Sequence, residues 1–380
     1  MRQVREAHLM RLYHIDWFLL STAITISILG LVTMHSFTPE NSFFTKQIIW
    51  IGVAIGAFFL ASIPEYGFLR RTPIVVGLFT IIITLLALVF VFGSIVKGGQ
   101  NRFNLGFFAV QPADLAKLIL VIFFAKYFAR RHIEIAHIKH ILVSGAYAFI
   151  AFILVLLQPD FGSAIAIAGI WLGMVLVAGI SWKHLATLII LAIVAAGGLW
   201  HYGLHPYQKA RIETFIHPLA DIRGTGYNAY QSTIAVGSGQ LLGKGIGYGT
   251  QSKLQFLPEF QTDFIFASYA EEWGFLGVVL LFVLYSILIL RILSVSLRGG
   301  DNFDTLFAAG IAIYFMVQFI VHAGMDMGLL PITGTTLPFM SYGGSHLVTE
   351  YAALGILMSM RRHARPTIQA RDETEFLGTM

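Results

Sequence analysis

The sequence predicts an all-α polytopic integral membrane protein: about ten transmembrane helices and one long extracytoplasmic loop. Three observations carry this reading. Apolar residues make up 57% of the chain and charged residues only 12%, where a soluble domain has about a quarter charged. Mean hydropathy is +0.75. Apolar runs long enough to cross roughly 30 Å of hydrocarbon recur from one end of the chain to the other.

The first run, near 15–34, is span-length and no small-residue cleavage pattern follows it, so it reads as a retained anchor and not a signal peptide. Further runs lie near 47–63, 74–92, 114–129, 141–157, 163–179 and 185–200. Between the fifth and sixth, Gln158-Pro159-Asp160-Phe161-Gly162 leaves room only for a tight turn. After the seventh, residues 201–262 form the long loop, whose aromatic and proline content argues for packed interfacial helices and not a floppy linker. Three more runs, near 264–290, 306–325 and 347–360, complete the set.

An even number of spans returns both termini to one side, and Lys and Arg decide which. One set of short loops and tails carries Arg2, Arg5, Arg11, Arg70, Arg71, Lys126, Arg130, Arg131, Lys139, Lys183, Arg291, Arg298, Arg361, Arg362, Arg365 and Arg371. The opposite short loops carry only Lys46, Lys97 and Arg102. The positive-inside rule then places both termini in the cytoplasm. The formal net charge of +5 reads as attraction to anionic lipid headgroups, and nothing points to nucleic acid. The absence of cysteine removes disulfides and thiolate metal sites.

Polar residues at the outer helix ends are the candidate site. Asp263 stands at the mouth of the eighth span with Glu271 and Glu272 about two turns further in, and charge at that depth is costly unless it has a task. Gly98-Gly99-Gln100-Asn101-Arg102-Phe103 leads to Gln111-Pro112-Ala113-Asp114, and Asp114 and Lys117 share a helix face on which they can pair, either as a helix-start carboxylate with a snorkelling lysine or as substrate ligands. Asp160 either caps the next helix or binds substrate. Residues 331–345 are full of helix breakers and hydroxyls, and broken backbone at membrane depth lines a cavity or is shielded by protein. Glycines 237–249 surround Lys244, but Gly245 follows where a P-loop has Ser or Thr. That run is either a hinge or a set of backbone N–H groups offered to a phosphate.

Leu257-Pro258-Glu259 with Thr262-Asp263-Phe264 and Glu271-Glu272, the Gln158–Gly162 turn, and Leu337-Pro338-Phe339 with Ser341–Ser345 together resemble the SEDS family (shape, elongation, division, sporulation) over about residues 10–365. Gln231–Gly239 and Gly249–Ser252 look more like elongation than division members. Asp114 stands where the family has Glu, Phe103 where it has Trp, Gln261 where it often has His, and Thr335-Thr336 where Ile-Pro is common.

The resemblance implies a membrane domain over 1–365, including loop 201–262, with a cytoplasmic tail at 366–380. It implies a peptidoglycan glycosyltransferase polymerising lipid II, with a class B penicillin-binding transpeptidase and elongation-complex proteins as partners. It assigns catalysis to Asp263 and places Arg102, Asp114, Lys117, Asp160, Arg211, Thr262, Glu271 and Ser341 around the substrate. A β-1,4 link formed from an α-linked pyrophosphate inverts the anomeric centre, so one general base suffices, and a carboxylate in a partly dry site suits that role. Glu271, about 12 Å further along a helix, is too far to serve the same proton and is expected to pair with a basic side chain inside the bundle. The leaving pyrophosphate calls for Arg102, Lys117, Arg211 and a divalent cation, Mg or Mn, at an unknown site. A lipid II flippase and a scaffold of the synthesis complex are the competing readings.

Overall fold

The computed structural model describes residues 15–35, 42–96, 99–104, 106, 108–130, 138–203, 206–217, 224, 226–297 and 301–363. Ten long helices account for the ten apolar runs: α1 (Trp17–His35), α2 (Ser42–Ser62), α3 (Thr72–Phe92), α4 (Pro112–Ala129), α5 (Ile138–Leu157), α6 (Phe161–Ala178), α7 (Trp182–Gly198), α11 (Ile265–Leu297), α12 (Asn302–Asp326) and α13 (Gly344–His363). Lipid offers the backbone no hydrogen bonds, so an apolar run of this length has only the helix open to it. The loop before α11 holds α8 (Pro206–Ile216), α9 (Tyr227–Ser238) and the single turn α10 (Thr250–Lys253), as its composition predicts. The tail 366–380, Lys97, and Arg2, Arg5, Arg11, Arg131, Arg298, Arg365 and Arg371 lie outside the described residues.

Six of the ten helices are both long and strongly apolar; α6 and α7 hold shorter apolar stretches. The remaining two, α4 and α13, bury Asp114, Lys117, His346 and Glu350 inside the protein. Local signals set the ends. Pro112 occupies the first turn of α4, where its missing N–H costs nothing. The Asp160 carboxylate caps α6 by accepting the Ser163 N–H at 3.0 Å.

Helix α12 is the centre of the bundle, buried along most of its length against α4, α6 and α11. Small residues allow the approach: Val317 and Ile313 of α12 sit over Gly169 and Gly173 of α6, where any Cβ would meet them within 2.7 Å. Helix α13 lies along α2, Gly355 resting against Phe58 and Ala61. Helix α7 is the least enclosed, with Trp182 84% and Ile193 67% exposed.

One end of the bundle is tied by arginines. Asp16, just ahead of α1, accepts from Arg291 of α11 and Arg361 of α13, each at 2.9 Å, and Arg70 pairs with Asp304 at 2.7 Å. The sequence placed these arginines on one face, and they meet there. Burial pushes the Asp16 carboxyl up, but the Arg291 and Leu19 hydrogen bonds and both guanidinium charges outweigh it and hold the group below its ordinary value of 3.8. Its contribution is therefore fully present above 3.8 and lost as pH falls through the lower folded value. Asp16→Ala is expected to cost about 1–3 kcal/mol, between the values for exposed and buried pairs. The measurement is the melting temperature in detergent, with a smaller loss on acidification than wild type shows.

Two features depart from the sequence reading. Residues 94–110 form a small antiparallel sheet, β1 (Ser94–Val96), β2 (Gly99–Asn104) and β3 (Ala109–Val110), in that order, so the fold is mostly helical and not wholly so. Helix α11 is interrupted at Gly274, whose φ of 66° and ψ of −166° belong to a region open in practice to glycine alone. Burial changes at that residue: 265–272 are entirely enclosed, whereas Phe275 and Leu276 begin an exposed apolar face. The 23 residues from 275 to 297 already give about 34 Å of helix, enough to cross a bilayer. The part of α11 after the break is thus long enough to span without Glu271 and Glu272.

Candidate active site

Asp263 closes a tight turn in front of α11. Glu259 takes a left-handed conformation (φ 55°), and its carbonyl accepts the N–H groups of Thr262, Asp263 and Phe264 at 3.0, 3.1 and 3.3 Å. Phe264 and Leu257, with Ala235 and Ala267, form a small apolar cluster that pins the turn on both sides. Asp263 itself stays half-buried. Its carboxylate lies beside Gly334, so close that a Cβ there would stand 3.5 Å from Oδ2.

A second turn, 337–342, is bound to the first. The Ser341 hydroxyl accepts from the Leu337 N–H and donates to the Thr262 carbonyl, both at 2.8 Å, and the Tyr342 N–H donates to Gln261 O at 2.8 Å. Ser341 is fully buried. The sequence reading set it against substrate; the geometry gives it the task of holding Thr262 and Asp263 in place. Thr262 remains half-buried next to Asp263.

The segment between these turns and α12 is wedged among helices. Gly162 at the start of α6 abuts Thr333 and Thr335, whose hydroxyls bond at 2.8 Å. His322 Nδ1 lies 2.6 Å from Thr335 O. One turn on, Asp326 Oδ2 accepts the Ala267 N–H at 3.0 Å, and Ser232 of α9 donates to the Asp326 carbonyl at 2.9 Å. His322 and Asp326, both fully buried, therefore tie α9, α11 and residues 333–335 together around Asp263. Sequence reasoning passed over both; their i, i+4 spacing inside an apolar helix was the available signal.

The other anticipated residues have partners of their own. Arg211 of α8 reaches the Ile332 carbonyl at 3.5 Å, two residues from Gly334. Asp160, besides capping α6, accepts from Gln111 Nε2 at 2.7 Å, and the Gln111 N–H donates to Ser345 Oγ at 3.1 Å. Asp114 and Lys117 pair at 2.9 Å with only 6% and 2% of their side chains exposed, and the ammonium stands 5.9 Å above the Tyr314 ring. Arg102 is half-buried on β2, its Nε donating to Asn101 Oδ1 at 3.2 Å.

Glu271 is drawn elsewhere. The glycine-rich run is neither a free hinge nor an open phosphate cradle, because its donors close on the protein's own carboxylates. Glu271 Oε1 accepts from Lys244 Nζ at 2.7 Å, the Thr250 N–H at 2.9 Å and the Thr250 hydroxyl at 3.0 Å; both its oxygens lie 3.2 Å from the Gln251 nitrogen. Glu272 Oε1 accepts the Gly247 N–H at 2.7 Å. The basic partner is thus Lys244, which comes from the loop and not, as expected, from inside the bundle. Gly243 and Gly274 face each other backbone to backbone, where no side chain fits.

The arrangement offers two half-buried carboxylates on one turn, Glu259 bonded to the Thr262 hydroxyl and Asp263 beside Gly334, with Arg211 reaching the neighbouring Ile332 carbonyl. Among the described residues no three His, Cys, Asp or Glu side chains converge as metal ligands.

A family model for cell cycle proteins, spanning FtsW, RodA and SpoVE, matches residues 7–366. The chain is 38% identical over 306 residues to peptidoglycan glycosyltransferase MrdB of Escherichia coli K12, covering 80% of this chain and 82% of that protein. Among solved structures it resembles a chain from a peptidoglycan synthase complex described as coordinating polymerization and crosslinking (TM-score 0.78, 31% identity, 91% of this chain and 97% of that one). It also resembles the rod shape determining protein RodA of Thermus thermophilus (TM-score 0.69, 29% identity, 92% and 97%).

Proposed function

The chain belongs to the FtsW/RodA/SpoVE family, the SEDS proteins, and from that premise we propose that it polymerises lipid II during cell elongation with Asp263 as the general base. It is a peptidoglycan glycosyltransferase and an integral membrane protein. The observation that carries the assignment of the base is the Glu259 turn, which fixes Asp263 half-exposed beside Gly334 while Glu271 and Glu272 are fully enclosed and the Glu259 carboxylate accepts from the Thr262 hydroxyl at 3.2 Å.

In the proposed step the acceptor sugar's 4-hydroxyl gives its proton to Asp263 as its oxygen bonds to the donor's anomeric carbon. The bond from that carbon to the pyrophosphate oxygen breaks, and undecaprenyl pyrophosphate leaves with the electron pair. Arg211, at the rim beside Ile332, and Arg102, half-buried on β2, are the proposed counter-charges. Lys117 is enclosed and already paired with Asp114, so its role there is secondary. Arg211→Gln is expected to lower kcat/KM about 10²-fold, the lower end for removing one charge-stabilising donor, while Arg211→Lys keeps a larger share. Polymer yield from labelled lipid II at several concentrations measures both.

The arginine-tied end is proposed to face the cytoplasm, which sets Asp263 at the outer surface. A class B penicillin-binding transpeptidase is the proposed partner. The similarity to a chain of a synthase complex supports this. The deciding experiment compares wild type with Asp263→Asn for glycan formation and for lipid II binding.

A further inference from the structure

Tyr314, Gln318, His322 and Asp326 recur every four residues on α12, so they form one slowly winding stripe about 18 Å long. All four are wholly buried, as is Glu350 on α13. Each keeps a polar atom that no protein group meets: Tyr314 Oη, both amide atoms of Gln318, His322 Nε2, Asp326 Oδ1 and Glu350 Oε1. His322 Nε2 comes within 3.5 Å of Asp326 Oδ2 without completing a bond. Helix α4 adds the Lys117 ammonium over the Tyr314 ring.

Six orphaned atoms in one strip are more than a marginally stable fold leaves dry, because each loses its hydration and gains nothing. The spacing suggests what meets them. Successive stripe residues rise by about 6 Å, close to the span of two hydrogen bonds through one oxygen. A bound water with two to four such partners is a stable part of a protein interior. Further along α12 the face turns apolar at Gly310, Phe307, Leu306 and Phe303, all buried.

We propose that α12 binds a dead-ended file of ordered water running from Asp326, beside the Asp263 turn, to Tyr314 and Lys117 near the middle of the bundle. The file gives Glu350 and Lys117 a hydrogen-bonded continuity with the turn that holds Asp263. It stops at Gly310, so it offers no route through the protein. The inference rests on burial and bonding alone and stands whether or not Asp263 is the base.

Tyr285 supplies a matched control: it is as buried as Tyr314, but its hydroxyl donates to the Pro338 carbonyl. The purified full chain in detergent is exposed to X-ray pulses that convert bound water to hydroxyl radicals, and oxidation is read by mass spectrometry. Tyr314 is expected to oxidise on the order of fivefold faster than Tyr285, because water stands at one ring and not the other. Gln318→Leu, which interrupts the file, is expected to bring Tyr314 down to the Tyr285 rate while Met325 at the Asp263 end keeps its own. Equal rates for the two tyrosines in wild type overturn the proposal whatever the variant does. A Gln318→Leu protein that melts higher with Tyr314 oxidation unchanged also overturns it, since that is the behaviour of a dry, unpaired amide.

Discussion

Asp263→Asn is expected to reduce glycan polymerisation by about 10²–10⁴-fold, the usual contribution of a positioned general base, while lipid II still binds. The substitution keeps the shape of the side chain, so the Glu259 turn and the packing of Phe264 and Leu257 survive. Only the capacity to accept a proton is removed. Asp263→Glu keeps that capacity but displaces the carboxylate by about one bond length, and misplacement of about 1 Å is worth up to about 10²-fold. The order expected is therefore wild type, glutamate, asparagine, read as strand formation from labelled lipid II with the transpeptidase partner present. Equal polymer from wild type and Asp263→Asn rules out the general-base assignment. If neither makes polymer while lipid II crosses reconstituted vesicles, the flippase reading replaces the polymerase one.

The membrane architecture was almost entirely legible in the sequence, for a physical reason. In hydrocarbon the backbone must satisfy itself, so apolar length alone decides the element, and 15–34 or 306–325 could hardly fold as anything but a helix. The arginine-rich end was legible too, since Arg70, Arg291 and Arg361 need only lie on the same side to find Asp16 and Asp304.

What escaped depends on backbone conformation and on partners distant in sequence. The break at Gly274 lies in a run that stays apolar on its far side, so hydropathy passes straight through it. The three strands at 94–110 are two to six residues each and are held by ladder bonds, such as Phe103 opposite Val110, that no periodicity announces. Ser341 was singled out as a substrate contact, yet only the fold reveals that its hydroxyl is spent on Leu337 and Thr262. The glycine run was read as a hinge or as N–H groups offered to a phosphate, and it is neither; that its donors close on Glu271 and Glu272 is a tertiary fact.

That tertiary fact carries the second large effect. Glu271→Leu is expected to cost about 1–3 kcal/mol, the range for leaving hydrogen-bonding groups unmet, because it takes the acceptor from the Thr250 and Gln251 N–H groups and unpairs the partly exposed Lys244 ammonium. Glu271→Gln leaves an acceptor oxygen for the N–H groups but no charge for Lys244, and so loses less. The loop these bonds secure also carries the Gln240 and Leu241 carbonyls, which receive the N–H groups of Phe275 and Leu276 where α11 is interrupted. Freed from Glu271, residues 239–251 release both sides of the break, and the short helical segment 265–273 loses its enclosure. That segment begins two residues after Asp263. Polymerisation is therefore expected to fall in Glu271→Leu about as far as in Asp263→Asn, but for a different cause, and two measurements separate them. Limited proteolysis cuts the 239–251 loop in Glu271→Leu and leaves it intact in Asp263→Asn. The melting temperature drops only in the former. A Glu271→Leu protein that melts like wild type, resists cleavage and still fails to polymerise places Glu271 in the chemistry after all, and its bonds to the loop become incidental.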